Sequence, residues 1–490
     1  MAADEVLEIH DGESTSDVDD AVESVESPDD STEPACPVWA VAVGSDPLQD
    51  GTREHPYHGL QEALDQRSTC DHVVLAELPG TPVFDIAVDI VVGAAETLLI
   101  EGEAEAATVP VFDGWGLVTG LRARGEGLLV LRRLVVKNGA GPHGGCLEAT
   151  VGGLELDDTR WEGCSATGDG GAVAVTAGSL RVSGSVFLRN VAGGLGGAIA
   201  ADGTSRDTIA VEECEFLANR AFDGGGVAIL APTTESLVSG STFVGNEASR
   251  GGSAITGRLG GRIVGNRFEA NEGPDGGAVA GDAGWHLALF ARNVVVSNVT
   301  WHSGSPHEGT PGAALRLSPA YGVVCNNLFL RNEIRSAAGP DALGTGAVLL
   351  DGGSPSVVNN VFAENAGGEV AHLMAANADV RNNVFVGGAG FVGYRLTVHS
   401  GGSAAVDYNL EWMMPEGRVD ADVEVGRHGV VADPRFVDVP NDDYLPAGGS
   451  PCLDAGDPGE EFRDWNGSRN DMGAFGGPDG NWVPLGLEDG

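Results

Sequence analysis

Basic and aromatic residues are scarce in this chain of 490 residues. It has one lysine, Lys137, and its 27 basic residues face 72 acidic ones, which gives a formal net charge of −45. A protein that binds a phosphate backbone needs a surface rich in Lys and Arg, so this balance argues against nucleic acid as a partner. Aromatic residues make up only 6% of the chain. No apolar run approaches the roughly 18 residues of a membrane-spanning helix, so we expect no transmembrane segment.

Glycine is abundant by contrast: the chain has 76 Gly and 24 Pro, together about a fifth of its residues. Because each interior Gly costs a helix about 1 kcal/mol, this composition argues against a helical protein. A chain of this length ordinarily holds roughly two to four domains. A repeat solenoid also reaches this length, because it grows along one axis around one continuous core.

Residues 1–35 contain 13 acidic residues and no Lys or Arg. Such a stretch cannot bury enough apolar surface to offset its ordering, so we predict a disordered acidic tail. The first residues, Met1 to Glu5, have neither the basic segment nor the apolar core of a signal peptide. Two interpretations stay open: a cytoplasmic protein, or an exported one whose export segment is not part of this sequence. The rest of the sequence favours the second, and we expect an extracellular or cell-surface protein.

The sequence repeats with a period of 23 to 34 residues. One column of aromatic or aliphatic residues marks the repeat: Val135, Trp161, Phe187, Phe216, Phe243, Phe268, Val295, Phe329, Phe362 and Phe385. A second apolar column lies five positions earlier and starts at Val130. A small polar column lies two positions before the first column, and an Asn-rich column that starts at Asn138 lies three positions after it. Gly pairs such as Gly196-Gly197 follow, often before Ala or Ser and an aliphatic residue.

These columns predict coils of short strands separated by turns, with the apolar columns stacked inward and the Asn side chains able to form a ladder. Asn and Gly suit the corners because they tolerate left-handed backbone. The period indicates an all-β fold: a single-stranded right-handed parallel β-helix with three strands per coil and about 12 coils. We divide the chain into the tail (1–35), an N-terminal cap with the first coils (36–115), the β-helix repeats (116–432) and a C-terminal cap (433–490).

The repeats resemble those of the chlamydial polymorphic outer-membrane proteins, whose marks are Gly-Gly-Ala-aliphatic and Phe-x-x-Asn. The second motif occurs here at Phe187–Asn190, Phe216–Asn219, Phe243–Asn246, Phe268–Asn271, Phe329–Asn332 and Phe362–Asn365. The two ends resemble those of secreted bacterial right-handed β-helix proteins of the pectate-lyase-like superfamily. The resemblance implies a β-helix displayed or secreted by a bacterium. Only about 55 residues follow Asp433, too few for the translocating barrel of an autotransporter.

Seven cysteines give a modest indication of compartment. Cys36 and Cys70 flank the predicted N-terminal cap, and we predict a disulfide between them. The other five are interpreted as small side chains within the stack: Cys146, Cys164, Cys214, Cys325 and Cys452. Leu60 to Leu64 predicts a short amphipathic helix that covers the first coil.

The strongest candidate site comes from spacing. Two consecutive coils are about eight residues longer than the others, in the segments 299–310 and 333–344, and stacked insertions of this kind commonly form a binding face. The side chains expected to gather there are Trp301, His302, His307, Glu308, Arg335 and Asp341.

Calcium is the one cofactor that the sequence indicates. Asp464, Asn466 and Asp471 place oxygen atoms, the ligands that Ca²⁺ prefers, around a Gly turn of the predicted C-terminal cap. Asp169, Asp223 and Asp275 precede Gly pairs, where turn chemistry explains them and calcium is the alternative.

Catalytic residues cannot be assigned from the sequence. Asp157 and Asp158 lie opposite Arg132 and Arg133 of the preceding coil, which predicts a surface ion pair rather than a catalytic acid pair. We therefore expect a secreted or cell-surface structural or adhesive protein that binds an extracellular glycan or protein. The alternative is a polysaccharide lyase or glycoside hydrolase on the same fold. The oligomeric state stays open.

Overall fold

A computed structural model describes most of the chain from Pro37 to Gly486. The described residues are 37–42, 47–76, 83–104, 106, 108–116, 120–204, 206–230, 236–258, 260–274, 276–281, 287–302, 314–318, 320–336, 345–366, 369–374, 378–387, 394–398, 405–413 and 426–486. The predicted acidic tail lies outside them. Within these residues the fold is a parallel β-solenoid with one helix, Leu60–Gln66, and two 3-10 turns, Val439–Asn441 and Glu460–Phe462.

Each coil of the described chain contributes strands to parallel sheets, here named I to IV in the order in which a full coil such as residues 128–150 meets them. Sheet I contains Pro37–Val41, Tyr57–His58, His72–Leu75, Thr97–Gly102, Leu128–Arg132, Gly153–Asp157, Ser179–Ser183, Ile209–Glu212, Ser236–Ser239, Gly261–Val264, Leu287–Ala291, Val323–Cys325, Ser356–Val358, Asp379–Arg381 and Ala405–Asp407. Sheet II contains Val83–Phe84, Val111–Asp113, Val135–Lys137, Arg160–Glu162, Val186–Leu188, Glu215–Leu217, Thr242–Val244, Arg267–Glu269, Val294–Val296, Leu328–Leu330, Val361–Ala363, Val384–Val386, Leu410–Trp412 and Val430–Val431.

Sheet III is short, and most of its strands have two residues. It contains Ala140–Gly141, Ser165–Ala166, Val191–Ala192, Arg220–Ala221, Glu247–Ala248, Glu272–Gly273, Val299–His302 and Glu333–Ser336. Sheet IV contains Asp89–Val92, Leu121–Gly125, Leu147–Thr150, Val173–Val175, Ile199–Ala201, Val227–Ile229, Ile255–Gly257, Val279–Gly281, Leu315–Leu317, Thr345–Asp351, Glu369–Met374 and Tyr394–Val398. The prediction of three strands per coil is therefore wrong for the coils that enter sheet III. These coils have four strands, because a short extended segment between sheets II and IV pairs with its equivalents in neighbouring coils.

The aromatic column forms the core as predicted. Phe187, Phe216 and Phe243 are fully buried, and their ring centroids lie 4.9 and 4.6 Å apart with almost parallel planes. In the first of the predicted repeats, at residues 130–135, the predicted columns are shifted by one residue. Val136, not Val135, pairs with Trp161, and Leu131, not Val130, occupies the second column.

Two ladders of buried polar side chains run along the stack. The first passes through Ser241, Asn266, Asn293, Asn327, Asn360, Asn383 and Asn409, and the second through Asn190, Asn219, Asn246, Asn271, Asn298, Asn332 and Asn365. At each Asn-to-Asn step the side-chain Oδ1 accepts the backbone N–H and the Nδ2 of the preceding coil's Asn, at 2.8–3.1 Å in the second ladder. The predicted ladder is confirmed.

The left-handed backbone at the corners lies one residue before the ladder position. Arg189, Ala218 and Ala270 have φ of 53°, 53° and 51°, whereas the Asn residues that follow them are not left-handed. The Asn side chains are thus selected for their hydrogen bonds and not for their backbone freedom. Asn138 has a φ of 54°, so it is itself the left-handed residue before a ladder position. It therefore lies outside the ladder, in register with Gly163.

A Gly pair is needed where the coil at Gly196-Gly197 turns into sheet IV. Gly196 has a φ of 66°, which favours glycine. A Cβ on Gly197 would lie 2.1 Å from the carbonyl oxygen of Gly225 in the next coil, so a side chain is excluded there.

The predicted N-terminal helix is present as Leu60–Gln66, with Leu60 and Ala63 buried against the first coils. The C-terminal segment packs along the side of the solenoid. Tyr444, Cys452, Met472 and Ala474 form a second core with outward-facing residues of sheet II, among them Leu330. The segment also forms hydrogen bonds with corner asparagines of three coils. Its backbone carbonyls accept from Asn326 and Asn359, and its backbone N–H groups donate to the oxygens of Asn382.

The interpretation of Cys146 and Cys164 as small stacking side chains is wrong, because they form a disulfide with Cα atoms 5.5 Å apart. Cys146 enters sheet IV and Cys164 lies at the corner of the next coil, so the two columns meet in space. Cys70 is disulfide-bonded, and Cys36, its predicted partner, lies outside the described residues. Cys214, Cys325 and Cys452 are free and buried. Burial raises the pKa of the Cys214 thiol to about 12.

Candidate ligand-binding face

The two long segments begin as adjacent strands of sheet III. Val299–His302 and Glu333–Ser336 pair in parallel, and Trp301 lies in register with Arg335. These strands have four residues each, where most strands of the sheet have two. The first part of the predicted face is therefore brought together. For His302 only the backbone is described, and His307, Glu308 and Asp341 lie outside the described residues.

Trp301 is exposed, with 43% of its surface accessible, but its ring is fixed on two sides. Its indole Nε1 donates a hydrogen bond to the carboxylate of Glu272 in the preceding coil. The guanidinium carbon of Arg335, from the following coil, lies 5.5 Å from the ring centroid. This arrangement presents a flat aromatic surface with a charged group on each neighbouring coil.

Arg335 is itself held by an ion pair with Glu333, with an N–O distance of 2.9 Å. The hydrogen bond to Glu333 raises the pKa of Arg335, so the guanidinium stays charged at every physiological pH. Because both groups are about two-fifths exposed, this pair orients Arg335 more than it stabilises the fold.

A second aromatic side chain lies on the same column, three coils earlier. Phe222 is 44% exposed, and the guanidinium carbon of Arg250 lies 5.6 Å from its ring centroid. The register places Phe222, Ser249, Pro274 and Trp301 at equivalent positions of consecutive coils. At about 4.8 Å per coil, the two aromatic rings are roughly 14 Å apart. Phe222 is not among the residues predicted from the sequence, although a Phe outside the buried aromatic column was a signal.

The candidate calcium residues lie in a hydrogen-bonded turn of the C-terminal segment. Asp464 is buried, and its Oδ1 accepts the backbone N–H groups of Asp471 at 3.1 Å and of Gly477 at 2.7 Å. Asn466 is exposed and accepts from Ser468. Burial, with repulsion from Asp464 and Asp454, raises the pKa of Asp471 to about 6. Burial also raises the pKa of Asp464.

The Asp residues before the Gly pairs hold turns together where they are described. The Oδ1 of Asp169 accepts the N–H of Leu195 in the next coil at 2.8 Å. Asp223 forms an isolated β-bridge with Leu195, and Asp275 lies outside the described residues. Among the described residues, no group of three or more His, Cys, Asp or Glu side chains is arranged to hold a metal ion.

The ion pair predicted for the acidic residues at 157 and 158 is present at Asp157, whereas Arg133 pairs with Glu101 at 2.6 Å. Asp157 forms an ion pair with Arg132 at 2.9 Å and accepts a hydrogen bond from Ser183 at 2.9 Å. Lys137 pairs with Asp113 at 3.3 Å. Asp157 and Lys137 are therefore each engaged in an ion pair on the surface of the solenoid.

One further pair of titratable groups lies near the C-terminal coils. The Oδ2 of Asp407 lies 2.8 Å from Nδ1 of His428, and its Oδ1 accepts the backbone N–H of the same residue at 2.7 Å. The imidazole stacks on Tyr408, with ring centroids 4.5 Å apart. Although burial acts to raise it, the hydrogen bonds from His428 keep the pKa of Asp407 below its ordinary value. A carboxylate that orients an imidazole in this way suits acid–base chemistry.

Comparisons with known proteins bear on the fold alone. Residues 197–385 match the family model for a right handed beta helix region. With the parallel sheets described above, this match makes the solenoid a right-handed parallel β-helix, as predicted. No curated protein matches the chain. Among the described residues, no helix is long and apolar enough to cross a membrane.

Proposed function

We propose that this protein is a secreted or cell-surface β-helix that binds an extracellular glycan on the face of sheet III around Trp301. The observation that carries the proposal is the exposed indole of Trp301, fixed by Glu272 and Arg335 at the start of two stacked insertions. An aromatic ring offers large contact area with few rotatable bonds, so little entropy is lost on binding. The apolar faces of sugar rings stack on such surfaces, and their hydroxyl groups pair with flanking charged side chains.

A neutral glycan fits the electrostatics better than an acidic one. The net charge of −45 repels polyanions, and the Arg side chains of this face are already engaged with Glu333 and with aromatic rings. The spacing between Phe222 and Trp301 suits an oligosaccharide that runs along the solenoid axis and contacts several coils.

Two further observations support an extracellular setting. The Cys146–Cys164 disulfide and the bonded state of Cys70 fit an oxidising compartment. The resemblance of the Phe-x-x-Asn repeats to those of chlamydial polymorphic outer-membrane proteins supports display at a bacterial surface.

The test is binding of the intact protein to an array of neutral and acidic glycans, compared between wild type and Trp301→Ala. We expect Trp301→Ala to weaken binding at least tenfold, which corresponds to about 1.4 kcal/mol. Trp465→Ala is the matched control, because Trp465 is also exposed but lies in the C-terminal segment. Unchanged binding by a folded Trp301→Ala protein would contradict the proposal.

The Asp407–His428 pair favours a second candidate, cleavage of an acidic polysaccharide by β-elimination. In such a reaction Nε2 of His428 takes the proton from the carbon next to the uronate carboxyl. The electrons of that C–H bond form a double bond to the adjacent carbon as its C–O bond breaks, and the leaving oxygen takes a proton from water. The product is an unsaturated uronate that absorbs in the ultraviolet. Release of this product by wild type but not by His428→Ala supports the enzyme. If a panel of polyuronates yields no such product, this candidate fails.

A further inference from the structure

An open groove lies at the corner between sheets II and III in the first coils, about seven coils away from Trp301. Its volume is about 380 Å³, and Trp115 stands at its edge. Its floor is made of glycine backbone, including Gly139 and Gly163. The Cys146–Cys164 disulfide lies directly beneath this floor, since a Cβ on Gly139 would approach the Cys146 sulfur to 2.9 Å. The floor therefore carries no side chain at Gly139 and Gly163, and the disulfide supports it covalently.

Trp115 is the most exposed large aromatic residue described in the chain, with 71% of its surface accessible, and its backbone is fixed. Its N–H donates to Oδ1 of Asp113 at 2.9 Å, and the N–H of Gly116 donates to the carbonyl of Asn138 in the next coil at 2.7 Å. Its φ of 54° is left-handed, a conformation that costs a bulky residue about 1–3 kcal/mol. A bulky apolar side chain in an exposed and strained position gains little from packing, which points to a ligand.

The polar side of the groove is preorganised. Nδ2 of Asn138 donates to Oδ1 of Asp113 at 3.0 Å, which fixes the amide plane and leaves Oδ1 of Asn138 beside Gly163 as an acceptor. Ser165 adds an exposed hydroxyl group on the same floor. An aromatic platform with one amide and one hydroxyl is the set of contacts that a sugar ring uses.

The charges near the groove cancel. Lys137, the single lysine of the chain, pairs with Asp113 at 3.3 Å. Burial acts to raise the pKa of Asp113, but hydrogen bonds from Asn138 and Trp115 and the charge of Lys137 hold it below its ordinary value. The carboxylate of Asp113 therefore balances the charge of Lys137, so the groove offers no net positive charge to an acidic ligand.

We propose that this groove is a separate sugar-binding site that takes one neutral pyranose ring, stacked on Trp115 and hydrogen-bonded to Asn138 and Ser165. The site lies about 34 Å from Trp301 along the stack, at about 4.8 Å per coil. The proposal for this groove can therefore be tested independently of the function proposed for the face around Trp301.

The experiment is calorimetric titration of the intact protein with a panel of neutral oligosaccharides built from glucose, xylose, mannose or galactose. Wild type is compared with Trp115→Ala, Trp301→Ala and Trp465→Ala. We expect Trp115→Ala to remove one binding event, with at least a tenfold loss of affinity, while Trp465→Ala leaves it unchanged. The event should persist in Trp301→Ala, which separates this site from the face around Trp301.

A second measurement guards against an indirect effect of the substitution. With 5-fluorotryptophan incorporated, the fluorine resonance that disappears in Trp115→Ala should shift on titration with the sugar that binds. Lys137→Gln should bind as wild type does, because the ligand is neutral. Equal sugar binding by wild type and Trp115→Ala overturns the proposal, as does the absence of saturable binding to every neutral sugar of the panel.

Discussion

Cys164 donates its backbone N–H to the side-chain oxygen of Asn190 at 3.0 Å, so the disulfide of Cys164 lies where the second Asn ladder ends. In the coil before it, the ladder position is Gly139, whose N–H donates to the sulfur of Cys146 at 3.3 Å. The Cys146–Cys164 disulfide thus links two neighbouring coils at the end of the hydrogen-bonded ladder. It also supports the floor of the groove beside Trp115.

Removal of this crosslink should lower stability. The disulfide closes a loop of 18 residues, and constraint of the unfolded chain by such a loop is worth about 3 kcal/mol. We expect the double variant Cys146→Ala/Cys164→Ala to lose about that much free energy of unfolding in urea. Cys214→Ala, which removes a buried sulfur without a crosslink, is the control and should lose clearly less. Equal losses in the two proteins would contradict a stabilising role for the disulfide.

The interior of the Asn ladder should be more sensitive than any surface amide. Oδ1 of Asn246 accepts the N–H and Nδ2 of Asn219, and its Nδ2 donates to the carbonyl of Phe216. Asn246→Ala leaves these buried groups without partners, at a cost of about 2–4 kcal/mol. The exposed side chain of Asn441 donates to Asp438 at 2.7 Å, so Asn441→Ala should change the free energy of unfolding by less than about 0.5 kcal/mol. Chemical denaturation of both variants provides the comparison.

The core was predictable because identical residues stack on one another in register. The register of the first coil was not, since Leu128 to Leu131 and Leu134 to Val136 are unbroken apolar runs that hide which residues face inward. The candidate face at Trp301 and Arg335 followed from the lengths of two coils. The disulfide did not follow from the repeat, because Cys146 and Cys164 occupy different columns and meet only at a corner in space.

Stability should depend on pH through Asp471. Its pKa is about 6 in the folded protein and near 3.8 in the unfolded chain, so the folded state binds the proton more tightly. The stability that the protonated carboxyl contributes is therefore present below pH 4 and is lost as the pH rises through 6. Asp471→Asn keeps an acceptor oxygen and imitates the protonated form, so it should unfold at a higher temperature than wild type at pH 7.5.

That advantage of Asp471→Asn should shrink to nothing near pH 4, where wild type is protonated as well. Asp438→Asn, at an exposed position, should show no comparable change with pH. A constant difference between wild type and Asp471→Asn across this range would mean that the substitution acts through packing and not through titration.

The Asp471→Asn variant also tests the calcium prediction for Asp464, Asn466 and Asp471. The repulsion among Asp464, Asp471 and Asp454 that contributes to the raised pKa of Asp471 is what a bound cation relieves. If calcium binds there, excess calcium chloride at pH 7.5 should raise the unfolding temperature of wild type but not that of Asp471→Asn. Equal shifts of the unfolding temperature in both proteins, or no shift in either, would contradict a calcium site in this turn.

The C-terminal segment supplies the last prediction, which depends on two leucines at equivalent positions of sheet II. Leu188 and Leu330 lie in one outward-facing column, linked in register through Leu217, Val244, Glu269 and Val296. Leu188 is partly exposed, whereas Leu330 is fully buried under the C-terminal segment. The outward positions become consistently apolar from Val294 onward, which is the sequence signal for this covering.

Because the two side chains are identical and occupy the same position on their coils, the covering segment is the main difference between them. Leu330→Ala should cost about 2–5 kcal/mol of unfolding free energy, as burial of a leucine in a packed core requires. Leu188→Ala should cost about 1 kcal/mol or less, since part of that side chain already contacts water. Limited proteolysis should also cut the C-terminal segment faster in Leu330→Ala than in Leu188→Ala. If both variants lose the same free energy and are cut alike, the segment does not form the second core described here.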